Sequence, residues 1–147
     1  MPPAAAAARG AASMSLRRKA REYALQMLFE WEMGRQPCER IEKGFWKNAR
    51  AEKSTRSFAN QLFEGAVAEA PALDELIARH AANWRLERIA AIDRAILRLA
   101  IHELRAAATP PRVVINEALE LSKKFSSEEA AAFINGILDT IHKSQEK

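Results

Sequence analysis

The stretch Glu87–Ala107, ERIAAIDRAILRLAIHELRAA, contains neither glycine nor proline. Its apolar residues Ile89, Ile92, Ile96, Leu97, Leu99, Ile101 and Leu104 fall on most of the circumference of a helix at 100° per residue. A helix of that kind buries itself only when other helices surround it. The spacing therefore predicts a long central helix in an all-α fold. One polar stripe interrupts it, formed by Arg94, Arg98, His102 and Arg105. It reads as a solvated face with ion pairs to neighbouring helices.

The flanking sequence has the same character. No glycine or proline occurs between Ala72 and Thr109, or between Arg112 and Asn135. No period-two segment bounded by turn residues suggests a strand. A first helix is expected from about Ser15 to Met33, with Ala20, Ala24, Met27, Leu28 and Trp31 on one face and Leu25 and Phe29 beside it. A short helix should span Ile41–Arg50. Ser54 or Ser57 would cap the next, and Pro71 suits the first turn of another that continues towards Trp84. Thr109-Pro110-Pro111 breaks the chain before a helix from Val113 to Phe125. The run Ser126-Ser127-Glu128-Glu129 reads as a capping box with Ser126 as N-cap, opening a last helix that buries Ala130, Ile134, Ile137 and Ile141. Gly136 inside that helix costs about 1 kcal/mol relative to alanine, which suggests a close neighbour there. The sum is about seven helices and no sheet.

The chain has 147 residues, 48% hydrophobic and 29% charged, the balance of a globular domain. No apolar run approaches the length of a membrane span. Cys38 is the only cysteine, which excludes an internal disulfide and fits a cytoplasmic setting. The net charge is +4, but it is unevenly placed. Arg9, Arg17, Arg18, Lys19 and Arg21 all precede the first acid, Glu22, so the remainder is slightly negative. The opening residues 1–14 are Ala-rich and are expected to be a disordered extension to a single helical domain over 15–143.

Those cations raise a question, because positive charge at a helix N-terminus opposes the macrodipole by about 0.3–1 kcal/mol per residue. Arg17, Arg18, Lys19 and Arg21 thus serve either an anionic partner or solubility. No GxGxxG, Walker loop or HExxH occurs, and His80, His102 and His142 share no ligand spacing. The expectation is a protein without catalysis, cofactor or metal. Phe125 and Phe133, flanking the Ser126–Glu129 turn, would either stack on unpaired bases or simply join the core.

Three stretches, RRKAREYALQMLFEWE from Arg17, IDRAILRLAIHEL from Ile92 and PRVVINEALELSKKFSSEEAAAFINGILDTI from Pro111, occur in that order. Together, over about Leu16 to His142, they resemble the NusB family of bacterial transcription antitermination factors. The resemblance implies two packed three-helix bundles plus an extra helix. It implies a binding protein that takes the boxA element of ribosomal RNA leader transcripts together with NusE, a small-subunit ribosomal protein, and helps RNA polymerase read through terminators. It places RNA contacts at Arg17, Arg18, Lys19, Arg21, Phe125, Glu129 and Phe133, and the NusE-facing surface at Phe29 and Asp93, with Leu25 beside Phe29 as a further docking residue. Some relatives have Tyr at Phe29, and exchange one acid for the other at Asp93 and Glu129. The family includes dimers and monomers, so a homodimer stays among the expected partners.

Two other readings remain at this point. One is the RNA-binding fragment of a ribosomal RNA cytosine methyltransferase, some of which begin with a NusB-like domain. The other is a helical interaction module whose basic segment is only a solvated tail.

Overall fold

The computed structural model describes residues 3–81 and 85–145, with side chains from Leu16 onward. Seven α-helices and one 3-10 turn account for nearly all of the described backbone. They are α1 (Pro3–Gly34), α2 (Cys38–Asn48), α3 (Lys53–Ala68), α4 (Ala70–His80), the turn Leu86–Arg88, α5 (Ala91–Ala106), α6 (Pro111–Phe125) and α7 (Glu128–Gln145). There is no strand among the described residues, and no helix there is long and apolar enough to cross a membrane.

α1, α2 and α3 form one three-helix group, and α5, α6 and α7 form a second. α4 is the additional helix and packs on α3, α5 and α7. α5 also lies against α1 and α3, so the helix expected at the centre of the fold is the element both groups share. Leu25, Met27 and Leu28 of α1, Phe63 of α3, Leu73 and Ile77 of α4, Ile96, Leu97 and Ile101 of α5, and Ile134 of α7 are fully buried. Each contributes about 1.5–3 kcal/mol by leaving water.

Several boundaries differ from the sequence expectation. The backbone of α1 is helical from Pro3 rather than from about Ser15; alanine is the strongest helix former. The central helix starts at Ala91 rather than Glu87, because Ile89 takes an extended conformation (φ −77°, ψ 131°) and is buried as a separate anchor. α4 stops at His80, and Trp84 lies outside the described residues. α3 begins at Lys53 with Glu52 as N-cap and no side-chain cap at all. The cap of α7 is Ser127, whose Oγ accepts the Ala130 N–H at 3.0 Å. That shift by one residue buries Ala131 and leaves Ala130 partly exposed.

The close helix approach expected at Gly136 is absent, since a β-carbon there would meet nothing within 4 Å. It occurs at Gly65 instead, where a β-carbon would overlap the imidazole of His102. His102 Nδ1 lies 2.8 Å from Glu69 Oε1, and Arg105 Nε donates to Glu69 Oε2 at 2.8 Å.

The polar stripe of α5 is ion-paired as expected, but only its Arg105 end is exposed; Arg94 and His102 are half-buried. Arg98 is 1% exposed. Its Nε and Nη2 donate to Asp74 of α4 at 2.7 and 3.0 Å, and its Nη1 donates to Glu32 of α1 at 2.8 Å. Burial pushes the Glu32 carboxyl up, but the hydrogen bond and charge of Arg98, with Arg35 and Arg94, outweigh it and hold the group below its ordinary value.

α2 buries only Ile41 and is held by aromatic contacts. Tyr23, Phe45 and Trp46 meet edge-to-face with centroids 5.7, 5.2 and 4.9 Å apart. Trp46 Nε1 donates to Asn60 of α3 at 2.9 Å. Half-buried Glu42 faces Glu64 across the same seam. Burial first, and then the hydrogen bond and charge of Glu64, push its carboxyl up to about 8.

Candidate nucleic-acid interface

The cations of α1 divide into two kinds. Arg17 is exposed, makes no ion pair with a described residue, and lies 4.8 Å over the ring of Phe58 on α3. Arg18 and Lys19 are about half exposed. Arg18 Nε donates to Glu117 of α6 at 3.0 Å, and this hydrogen bond and the carboxylate charge raise its affinity for its proton. Lys19 stands 3.6 Å from Glu22 and 5.2 Å from the Tyr23 ring centroid.

Arg21 differs from all of them. It is 3% exposed, and its Nε and Nη2 donate to the two carboxylate oxygens of Glu103 on α5, both at 2.8 Å. Glu117 stands 4.0 Å away on its other side. Such a guanidinium has its directional donors engaged. Its place is inside the junction of α1, α5 and α6, not on the surface where the sequence expectation put it. Arg18, Arg21, Glu117 and Lys124 wall a cavity of about 250 Å³ between α1 and α6.

The second expected group lies around the α6–α7 turn. Phe125 and Phe133 are half-buried and pack on the rim of the core, while Glu129 is exposed. Lys124 joins this region to α1. Its ammonium is 2.8 Å from Glu22 Oε1 and 5.6 Å from the Phe125 ring centroid. Two segments about a hundred residues apart thus share one face, with exposed cations at Arg18, Lys19 and Lys124, while Arg17 turns towards α3. Exposed cations beside aromatic edges suit phosphate contact with base stacking.

Of the expected partner-facing residues, Leu25 is fully buried. It forms core and cannot dock another protein. Phe29 is half-buried. Asp93 stands in the first turn of α5, where its charge complements the helix dipole. Its Oδ1 is buried with no hydrogen-bond partner among the described residues, a state that costs about 1–3 kcal/mol.

The sequence reading missed Glu103 and Glu22 as partners of the α1 cations. A signal existed for Glu103, an acid flanked by Ile101 and Leu104 on an otherwise apolar face. Among the described residues no group of three or more His, Cys, Asp or Glu could hold a metal ion.

A family model described as the NusB family matches residues 18–143. The chain is 50% identical to the transcription antitermination protein NusB of Koribacter versatilis (strain Ellin345) over 127 residues, which is 85% of this chain and 87% of that one. It is 44% identical to the protein of the same name from Solibacter usitatus (strain Ellin6076), over 88% of this chain and 90% of the relative. Among solved structures, it superposes on T. maritima NusB with a TM-score of 0.77 and 32% identity over 86% of this chain and 90% of that one. It also superposes on a chain from the crystal structure of antitermination factors NusB and NusE in complex with double-stranded RNA, with a TM-score of 0.80 and 28% identity over 89% of this chain and 98% of that one. With its helix order, its central α5 and the cationic start of α1 in place, this chain belongs to the NusB family.

Proposed function

We propose that this chain is an RNA-binding transcription antitermination factor. It acts by binding and not by catalysis, takes a boxA-type RNA together with NusE, and works in the cytoplasm within an RNA polymerase complex. The observation that carries this reading is the joined face described above. Exposed Arg18 and Lys19 stand beside Lys124 and Phe125, joined to them through Glu117 and Glu22, and exposed Arg17 precedes them on the same helix. The NusB–NusE complex with RNA formed by a structural neighbour supports the same partners.

In this reading Arg17 is the leading phosphate contact, with Arg18 and Lys19 released in part from their surface pairs, each worth about 0–1 kcal/mol. Arg21 acts at one remove, by fixing α1 against Glu103. Phe125, Phe133 and Glu129 line the second half of the RNA path. Phe29 and Asp93 face NusE.

The test is a titration of a short boxA-type RNA at several salt concentrations, with and without NusE. Binding strengthened by NusE and lost with a scrambled RNA is expected. The Arg17→Ala variant should lower the salt slope by about 0.7 for its one lost contact on single-stranded RNA. Sequence-blind binding, indifferent both to NusE and to Arg17, would overturn the reading.

A further inference from the structure

The densest run of free positive charge in the described surface lies outside the interface above. Lys43, Lys47, Arg50, Lys53 and Arg56 fall within the α2–α3 hairpin, with Glu52 the only acid between the first and the last of them. All five are exposed, and none makes an ion pair with a described residue. The α1 cations behave differently, since Arg18, Lys19 and Arg21 each have a carboxylate within 4 Å.

Local folding does not account for these charges. Lys53 and Arg56 sit in the first turn of α3, where cations oppose the dipole. That helix has no acid in its first turn and no side-chain cap, so its leading N–H groups also point outward unpaired. Beside them Thr55 is 5% exposed, with a hydroxyl that has no partner among the described residues. Thr55 lines a groove of about 370 Å³ that runs between the start of α3 and Arg17. A second groove of about 440 Å³ is walled by Lys43, Trp46, Lys47 and Arg56, and the Arg56 guanidinium lies 5.2 Å over the Trp46 ring. Two acids, Glu39 and Glu42, complete that wall.

The patch is also continuous with the interface. Arg17 reaches α3 by lying over Phe58. Tyr23, which Lys19 covers, donates its hydroxyl to the Arg50 carbonyl oxygen at 3.3 Å. A polyanion leaving Arg17 meets the first turn of α3 and then the C-terminal half of α2.

We propose that the α2–α3 hairpin is a second nucleic-acid surface, which takes the sugar-phosphate backbone of RNA flanking the primary element without reading its sequence. Lys43, Lys47 and Lys53 neutralise phosphates, the open N-terminus of α3 receives another, and Trp46 with Arg56 offers a stacking edge. The inference rests on the RNA-binding reading above and extends its footprint.

The experiment compares two RNAs on the full chain. One is a short boxA-type element, and the other is the same element extended on both sides by arbitrary sequence. The wild type is expected to bind the extended RNA at least about tenfold more tightly at low salt, with a steeper salt dependence. The triple variant K43Q/K47Q/K53Q should lose that gain and about two units of salt slope, while its affinity for the short element stays within twofold. The charge-conserving K43R/K47R/K53R should retain the gain. No gain from the flanks in the wild type, or a gain indifferent to the glutamines, overturns the proposal. Displacement of polyglutamate, but not of flanking RNA, by the same substitutions would assign the surface to an acidic polypeptide and overturn it equally. Failure of the primary reading is recognised separately, because the short element would then bind regardless of Arg17 or not at all.

Discussion

Lys124, near the end of α6, places its ammonium 2.8 Å from the carboxylate of Glu22 on α1. Lys19 approaches the same carboxylate oxygen at 3.6 Å. Glu22 therefore holds two cations that RNA would otherwise recruit. Glu22→Gln should cost little stability, below about 1 kcal/mol, because both lysines stay solvated. It should also raise RNA affinity a few-fold at low salt and steepen the salt dependence by up to about 1. A titration in parallel with the wild type over a salt series checks this, and weaker binding would show that Glu22 matters by aligning the segments.

Arg17 and Arg21 are one helical turn apart and should respond oppositely to removal. Arg21→Ala leaves Glu103 buried without its partner, at a cost of about 3–5 kcal/mol. Arg17→Ala removes an exposed group and should leave the urea midpoint almost unchanged while weakening RNA binding. Denaturation curves with RNA titrations on both variants separate the roles. An Arg21 variant of wild-type stability would contradict the buried pair.

The two glycines of α3 and α7 make a matched pair. Gly65→Ala drives a methyl group into the His102 ring and should destabilise by about 1–3 kcal/mol. Gly136→Ala meets open space and should stabilise by up to about 1 kcal/mol through helix propensity. Thermal melts of the two variants should shift in opposite directions.

Glu42 gives stability a pH dependence of definite sign. Its carboxyl rises from an ordinary 4.5 to about 8 in the folded state. The folded protein thus holds a proton that the unfolded chain loses across that window. The contribution is most favourable below 4.5 and is lost as pH rises through 8. Glu42→Gln mimics the protonated group, so its melting temperature should match the wild type near pH 5 and exceed it by a few degrees near pH 9. A difference that stays constant with pH would exclude this titration.

The fold was legible because its evidence is periodic. Apolar residues three and four apart mark α5, α6 and α7 without knowledge of their neighbours, and Pro111 fixes one boundary by chemistry alone. Details that depend on a second element were not legible. Gly136 and Gly65 look alike in sequence, yet only Gly65 has an imidazole against it. Arg17 and Arg21 also look alike, and Glu103 alone distinguishes them. Leu25 belongs to an apolar stripe that reads equally well as core or as docking surface until α1 is seen packed. Lys43 to Arg56 escaped attention because their spacing is ordinary for a solvated hairpin. Their distinction is that none of the five is ion-paired with a described residue, which only the packed helices reveal.

Arg21 and Glu103 are separated by 82 positions but cannot change independently without stranding a buried charge. Evolution should therefore treat them as one character, lost or replaced together. A relative that no longer binds RNA would be free to lose the cation at 17 and still be obliged to keep the one at 21. A basic residue matching Arg21 is accordingly a mark of descent, while one matching Arg17 is a mark of use. Functions assigned to distant relatives should be weighed on the second position and not on the first.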